Sequence, residues 1–281
     1  MSASTIVTSL MSINILVIGT ASRDVLHLPT GIVHTVGGAG LYTALAAAQA
    51  GARVTLCAPY PQPLPGEFNA AAARLTWIGP SIDADALPRL AIAHHGGGKA
   101  TLLDAAWGAE AQLEPAHLPA RLPDFDAVHI AALSSAARML TFARACRERG
   151  ARFISAGTYF RLVQNSPDVV HELIDACDGF FMNDNEARGL FGSVEAAHST
   201  HKRLLFVTLG ADGAQVCTNS AHTHLPAPPA HEVDPTGAGD TFCGTTLTML
   251  ARGASPVNAA AAGCAAASRM IEAPGPAQLL Q

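Results

Sequence analysis

The chain is poor in charge and in aromatic rings: of its 281 residues, 14% are charged and 5% are Phe, Trp or Tyr. Lys and Arg form no run and the formal net charge is −5, so no basic face is offered to a nucleic acid or an anionic membrane. The six cysteines (Cys57, Cys146, Cys177, Cys217, Cys243, Cys264) are scattered without a CxxC pair. They read as reduced, buried thiols of a cytoplasmic protein rather than a disulfide framework. Long apolar runs are also missing. The longest, Ala259–Ala267, is too short to span a bilayer. Met1 to Ser12 has no basic region and reads as a poor signal peptide; the start is Met1 or Met11, just before the first strand.

Several chemistries are excluded in the same way. Gly98-Lys99-Ala100-Thr101 is no P-loop, because Ser or Thr must follow the Lys directly and the upstream Gly is absent. Gly237-x-Gly239 lacks the third glycine of a dinucleotide site, which removes a dehydrogenase reading. There is no Gly-x-Ser-x-Gly elbow, and His94-His95 and His222-x-His224 have no Cys or Glu at zinc spacing. A structural metal site is not expected.

What is present is apolar residue, 49% of the chain, enough for a large core. Ile13–Ile18, closed by Gly19, reads as a buried strand. Val25–Leu28 and Ile32–Val36 around Pro29-Thr30-Gly31 suggest a hairpin, and Leu90–His94 with Ala100–Leu103 around three glycines suggest another. Helical spacing runs from Gly38 to Ala50 and stops at Gly51. A strand at 54–58 follows, then a proline-rich loop from Pro59 to Gly66. From Ala127 onward strands (127–131, 152–155, 179–182, 204–208) alternate with helices (137–149, 167–177, 184–190), before short strands near 214–217 and 222–225. Ser255-Pro256 opens a last helix. Such alternation predicts an α/β fold with a mainly parallel sheet between two helical layers. The two hairpins predict a small separate sheet, the way a lid is built.

One segment stands out chemically: Asp234-Pro235-Thr236-Gly237-Ala238-Gly239-Asp240-Thr241-Phe242, opening a helix that runs to Arg252. Small residues let the amides of Gly237, Ala238, Gly239 and Asp240 converge at a helix N-terminus, forming an anion hole for a phosphoryl group. Asp240 beside it suits a base that takes a hydroxyl proton; the helix terminus predicts a lowered pKa for it. The plain alternative is a glycine-rich turn with Asp240 as a helix cap. Likewise Asn183-Asp184-Asn185-Glu186 offers oxygen ligands suited to Mg²⁺, or a helix cap with first-turn acids.

The Asp234–Phe242 segment resembles the C-terminal signature of the ribokinase-like (pfkB) family, and other family marks fall in order from Asn14 to about Ala273. The resemblance implies a single ribokinase-like domain over 1–281, a three-layer α/β/α fold with a small β-hairpin lid from parts of 24–36 and 88–104. It implies Asp240 as catalytic base, with Gly237, Ala238 and Gly239 cradling the phosphoryl. Asp24 and the Gly37-Gly38 turn would meet the acceptor. Tyr42 stands where family members often carry a sugar-touching Asn, so it would line the same pocket. Thr208 and Gly210, in Val207-Thr208-Leu209-Gly210, would lie beside the nucleotide phosphates, and Arg161 near the transferred phosphate. Asn183 and Glu186 would hold Mg²⁺ through water. Asp234 and Thr236 match positions that hold K⁺ in potassium-activated members. Departures are Thr245, where Ala or Gly is preferred, and Pro61 in place of a glycine.

The function implied is ATP-dependent phosphotransfer to a sugar, polyol or nucleoside hydroxyl, with a lean to carbohydrate or polyol, by a monomer or homodimer. The rival is a non-catalytic sugar- or nucleotide-binding protein on the same fold. Asp240 together with Asn183 and Glu186 argues for the enzyme, since a binder needs neither.

Overall fold

A computed structural model describes residues 12–198, 203–219 and 221–281, and of Lys99 the backbone only; the choice between Met1 and Met11 lies outside the described residues. The first strand, β1 (Asn14–Ile18), is followed by a hairpin of β2 (Ser22–Leu28) and β3 (Gly31–Gly37), then α1 (Ala39–Gln49) and β4 (Arg53–Cys57). The proline-rich stretch contains a two-residue strand, β5 (Tyr60–Pro61), before α2 (Asn69–Ala72), β6 (Thr76–Ile78) and β7 (Ser81–Ile82). The second hairpin is β8 (Arg89–Gly96) and β9 (Lys99–Ala106). Then come β10 (Ala127–Ile130), α3 (Ala136–Glu148), β11 (Ile154–Ala156), α4 (Phe160–Asn165), α5 (Pro167–Ala176), β12 (Gly179–Asn183) and α6 (Asp184–Phe191). The chain closes with β13 (Leu204–Thr208), β14 (Ala214–Cys217), β15 (His222–Leu225), α7 (Ala238–Ala251) and α8 (Pro256–Met270).

Nine strands form the main sheet in the order β15-β14-β13-β12-β11-β10-β1-β4-β6. Pairing is parallel except for β13–β14 and β14–β15. The parallel strands are apolar along their length, as a sheet covered on both faces requires. On one face Met139, Phe142, Val170 and Leu173 of α3 and α5 pack on Leu16, Val128 and Phe180. On the other, Leu41 and Leu45 of α1, Phe242 and Leu247 of α7, and Ala260 and Cys264 of α8 pack on Ile15, Val17 and Phe206. This is the expected three-layer α/β/α arrangement. The two hairpins join into one four-stranded sheet, β3-β2-β8-β9, through parallel pairing of β2 with β8. Its return to the main sheet is held by Glu110, whose fully buried carboxylate accepts from Ser134 N and Oγ and from Arg138 Nη1 at 2.7 Å.

Helix α4 was not expected from the sequence. Six residues ending at Ser166 carry too little periodicity to separate a short helix from a loop. Strands β6 and β7 are equally short and were likewise not expected.

Close backbone approach sets the position of α1 and α7. A Cβ on Gly40 would lie 2.7 Å from Thr20 N, and one on Gly244 would overlap Thr43 O. The first contact holds the N-terminal end of α1 at the C-terminal edge of β1, and the second seats the middle of α7 on α1. Gly244→Ala should therefore force α1 from α7 and lower stability by about 1–3 kcal/mol, the usual cost of overpacking. Urea unfolding checks this; an unchanged midpoint would mean that the interface yields freely.

Candidate active site

The site lies at the C-terminal edge of the parallel strands, where open α/β sheets bind ligands. Its centre is the turn leading into α7. Asp234 is fully buried; its Oδ1 accepts from Thr236 N at 2.9 Å and its Oδ2 from Gly275 N at 2.7 Å. Gly237 adopts φ 79°, and a Cβ there would overlap the ring of Tyr42. The amide of Ala238 turns inward to Pro235 O at 3.1 Å, so it does not join the expected cradle. Thr241 N closes onto Gly237 O. Gly239 and Asp240 keep the first-turn amides that a helix leaves without an internal acceptor. Nothing lies within 4 Å of a Cβ placed on Gly239, so this part of the turn is open to an approaching group.

Asp240 departs from the expectation of a lowered pKa. Burial pushes its carboxyl up to about 7. The helix terminus stabilises an anion by about 1 kcal/mol, less than removing a carboxylate from water costs. A group titrating near neutrality is suited to accept and release protons.

Around it stand other acids. Asp24, on β2, is 2% exposed, and burial pushes it up to about 6, against a hydrogen bond from Ser22 Oγ at 2.6 Å and with the charge of Asp234 adding to the rise. Gly37 is its close neighbour on β3: a Cβ there would overlap the Asp24 carboxylate. Gly38, with φ 97°, begins α1 and packs on Thr20 and Ala21. Tyr42 does not line an open pocket. It is 1% exposed beneath the turn, its hydroxyl lacks a hydrogen-bond partner, and burial with Asp234, Asp24 and Asp240 raises its phenol well above the usual range. It is therefore the buried post around which three carboxylates gather.

Asn183 ends β12 and pairs in register with Thr208, which ends β13. Asn183 caps α6, accepting from Glu186 N at 2.9 Å, while the Glu186 carboxylate accepts from Asn183 N at 2.8 Å and Nδ2 at 2.7 Å. Both the cap and the first-turn acid foreseen as the simpler role are present. Burial pushes Glu186 up to about 8; the Asn183 amide works against this and the charge of Asp240 with it. Gly210 follows Thr208 with φ 61° and open space where a Cβ would stand. Arg161 is exposed near the start of α4, and no contact brings it into this cluster.

A residue passed over in the sequence completes the turn. His94, on β8, places Nε2 2.8 Å from Thr236 Oγ1 and 3.2 Å from Asp234 Oδ1. Thus Asp234 and Thr236 meet an imidazole from the small sheet where the resemblance suggested potassium. The signal was strand alternation: His94 points inward and His95 outward. Two surface depressions, one beside Arg144 and Arg147 and one beside His171 and Phe191, share no residue with this cluster. No helix among the described residues is long and apolar enough to cross a membrane.

The fold is shared with known proteins. Residues 5–281 match the pfkB family carbohydrate kinase domain. Cytidine kinase of Thermococcus kodakarensis is 27% identical over 253 residues, 86% of this chain and 90% of the relative. Among solved structures, adenosine kinase from Sinorhizobium meliloti superposes with a TM-score of 0.81 at 19% identity, covering 94% of this chain and 95% of the other. Ribokinase from Cryptococcus neoformans in complex with ADP superposes with a TM-score of 0.75 at 20% identity, covering 96% and 97%.

The position of Asp240 has a consequence for pH. If this carboxylate must be ionised to act, activity rises with pH through about 7, where burial has moved it. The acceptor kcat/KM measured from acid to alkaline pH should show that ascending limb. A profile flat down to pH about 5 would show a carboxylate ionising in the ordinary range.

Proposed function

Because the chain belongs to the pfkB family of carbohydrate kinases, we propose that it moves the γ-phosphoryl of ATP onto a hydroxyl of a small sugar, polyol or nucleoside. The observation that carries this reading is the place of Asp240: a half-buried carboxylate in the first turn of α7, beside amides left open at Gly239, which desolvation raises to about 7. The carboxylate of Glu186, a helix-capping acid, is taken up by the N–H groups of Asn183, whereas among the described residues the oxygens of Asp240 accept no N–H and stay free to take a proton.

In the proposed reaction the acceptor lies against Asp24 and Gly37, with the four-stranded sheet as a lid that excludes water. The Asp24 carboxylate would accept hydrogen bonds from the substrate's hydroxyls and fix their orientation. Asp240 would take the proton of the attacking hydroxyl, while the amides of Gly239 and Asp240, with Gly237 shaping the turn, stabilise charge on the transferred group. Thr208 and Gly210 would face the nucleotide phosphates.

Magnesium fits this donor set through water. Glu186 and Asp240 are both raised, and the charge of Asp240 raises Glu186 further, so a nearby dication would relieve both. Each Glu186 oxygen keeps a lone pair beside its bond to Asn183. Asn183 and Glu186 would thus hold the ion by way of its waters, and the ion would neutralise phosphate charge. The cytidine kinase relative puts nucleosides beside sugars at the head of any substrate panel.

ADP release measured with ATP, Mg²⁺ and a panel of sugars, polyols and nucleosides tests the reading. A chain that binds members of the panel yet releases no ADP with any of them is a binding protein instead. With the best acceptor, Asp240→Asn should cut kcat by at least about 10²-fold while ATP affinity persists. Stability separates base from cap. A carboxyl raised in the folded state binds its proton more tightly there, so its ionisation above pH 7 favours unfolding. Asn removes that cost and should stabilise the fold at pH about 8 by up to about 3 kcal/mol; destabilisation would mark a cap. Asp24→Ala should raise acceptor KM by about tenfold or more, from a lost buried hydrogen bond of about 1–3 kcal/mol. An unchanged KM would make Asp24 a structural residue.

A further inference from the structure

The β8–β9 hairpin grips the segment before α7 at two points. The Glu232 carboxylate accepts from Gly98 N with both oxygens, at 2.9 and 3.1 Å. Four residues back along the hairpin, His94 reaches Thr236 Oγ1 and Asp234 Oδ1, with its side chain 3% exposed. A carboxylate can only accept, so we assign the imidazole hydrogen to Nε2, which leaves Nδ1, buried without a partner, as the bare nitrogen. Oδ1 of Asp234 then accepts from Thr236 N with the imidazole nitrogen 3.2 Å away, while Oδ2 accepts from the amide of Gly275. A monovalent cation at this place would need lone pairs and would meet donor hydrogens instead. The donor set does not fit potassium while His94 is seated.

Residue by residue, the turn depends on this contact. Thr236 is held by its amide to Asp234 and by its hydroxyl to His94, and the next residue is Gly237, from which α7 begins. We propose that His94 is a positioning residue that holds Asp234 and Thr236, and through them the open amides at Gly239 and Asp240, in place of a monovalent cation. Seating of the small sheet, rather than K⁺, then sets the phosphoryl-binding turn. The part of this that concerns rate rests on the kinase reading; the part that concerns cations does not.

Two measurements on the full chain test it. Thermal unfolding is followed in chloride salts of K⁺, Na⁺ and choline at equal ionic strength, for the wild type and His94→Ala. Wild-type Tm should be the same in all three; a rise specific to K⁺ overturns the proposal. Rates are then measured with the best acceptor in the same salts. Wild-type kcat should agree within about twofold across them, and His94→Ala should lose about tenfold in kcat with KM for ATP and acceptor within about twofold. His94→Gln, whose amide nitrogen can reach the same two oxygens, should recover most of kcat. Stimulation of the wild type by K⁺, a full kcat in His94→Ala, or a His94→Gln as slow as His94→Ala overturns the assignment. If the Ala variant does not fold, the Gln variant and the wild-type salt series still decide. A wild type inert to every acceptor sinks the kinase reading alone, and the melting curves then decide the cation question.

Discussion

Carboxylates buried or half-buried without a compensating positive charge are the constraint on which this end of the molecule depends. Asp24, Asp234 and Asp240 all act on the one tyrosine ring beneath the turn, and Glu186 feels Asp240. Each is treated differently. Asp234 has donors on both oxygens, so it can serve as scaffold. Asp24 has the Ser22 hydroxyl on one oxygen and leaves capacity on the other. Glu186 is tied to Asn183, and Asp240 is raised by burial alone. Removing such groups from water is costly, and the cost is recovered only when a proton, a hydroxyl donor or a cation arrives. An arrangement of this kind favours ligands that bring donors and positive charge, which is what a hydroxylated acceptor and a metal-bound nucleotide bring.

Small residues make that crowding feasible. The Gly38–Gly40 turn sits against Thr20, Gly237 against Tyr42, Gly244 against Thr43 and Gly263 against Phe242. Side chains at these points would hold α1, α7 and α8 apart and move their ends from the strand edge. The same packing buries Tyr42, whose ring fills the space under a glycine that has no side chain of its own.

Most of the fold was legible because burial writes itself into periodicity. The apolar strands β1, β10, β12 and β13, the Ser-Pro start of α8 and both hairpins carry local signals, and the layer order follows from their alternation. What local signals cannot carry is partner choice. The two hairpins were expected to share one small sheet, but nothing near Val25 or Ala91 announces that β2 and β8 join them by pairing in parallel. The acids, the glycine turn and Asn183 with Glu186 were legible as residue types at a spacing. Their electrostatics were not: the helix-terminus argument acts along one element, whereas the desolvation that raises the half-buried Asp240 comes from the packing of several. His94 was weighed only against zinc spacing, yet its neighbours Asp234 and Thr236 are distant in sequence and close in space.

The contrast between Asp234 and Asp240 bears on whether the turn merely shapes a helix end. Asp234 shows what a structural carboxylate looks like here: donors on both oxygens and no exposure. Asp240, six residues on and at a helix start, has an N-terminal dipole at hand and still rises. A residue kept for capping takes up N–H groups, as Glu186 does from Asn183, and among the described residues the oxygens of Asp240 take none. Leaving the amides open and the acid raised is unfavourable for folding and favourable for a reaction in which one anion must be held while a proton is taken from its neighbour. The two needs point to the same few ångströms of chain, and that coincidence, rather than either feature alone, is why phosphotransfer is proposed over a glycine-rich helix cap.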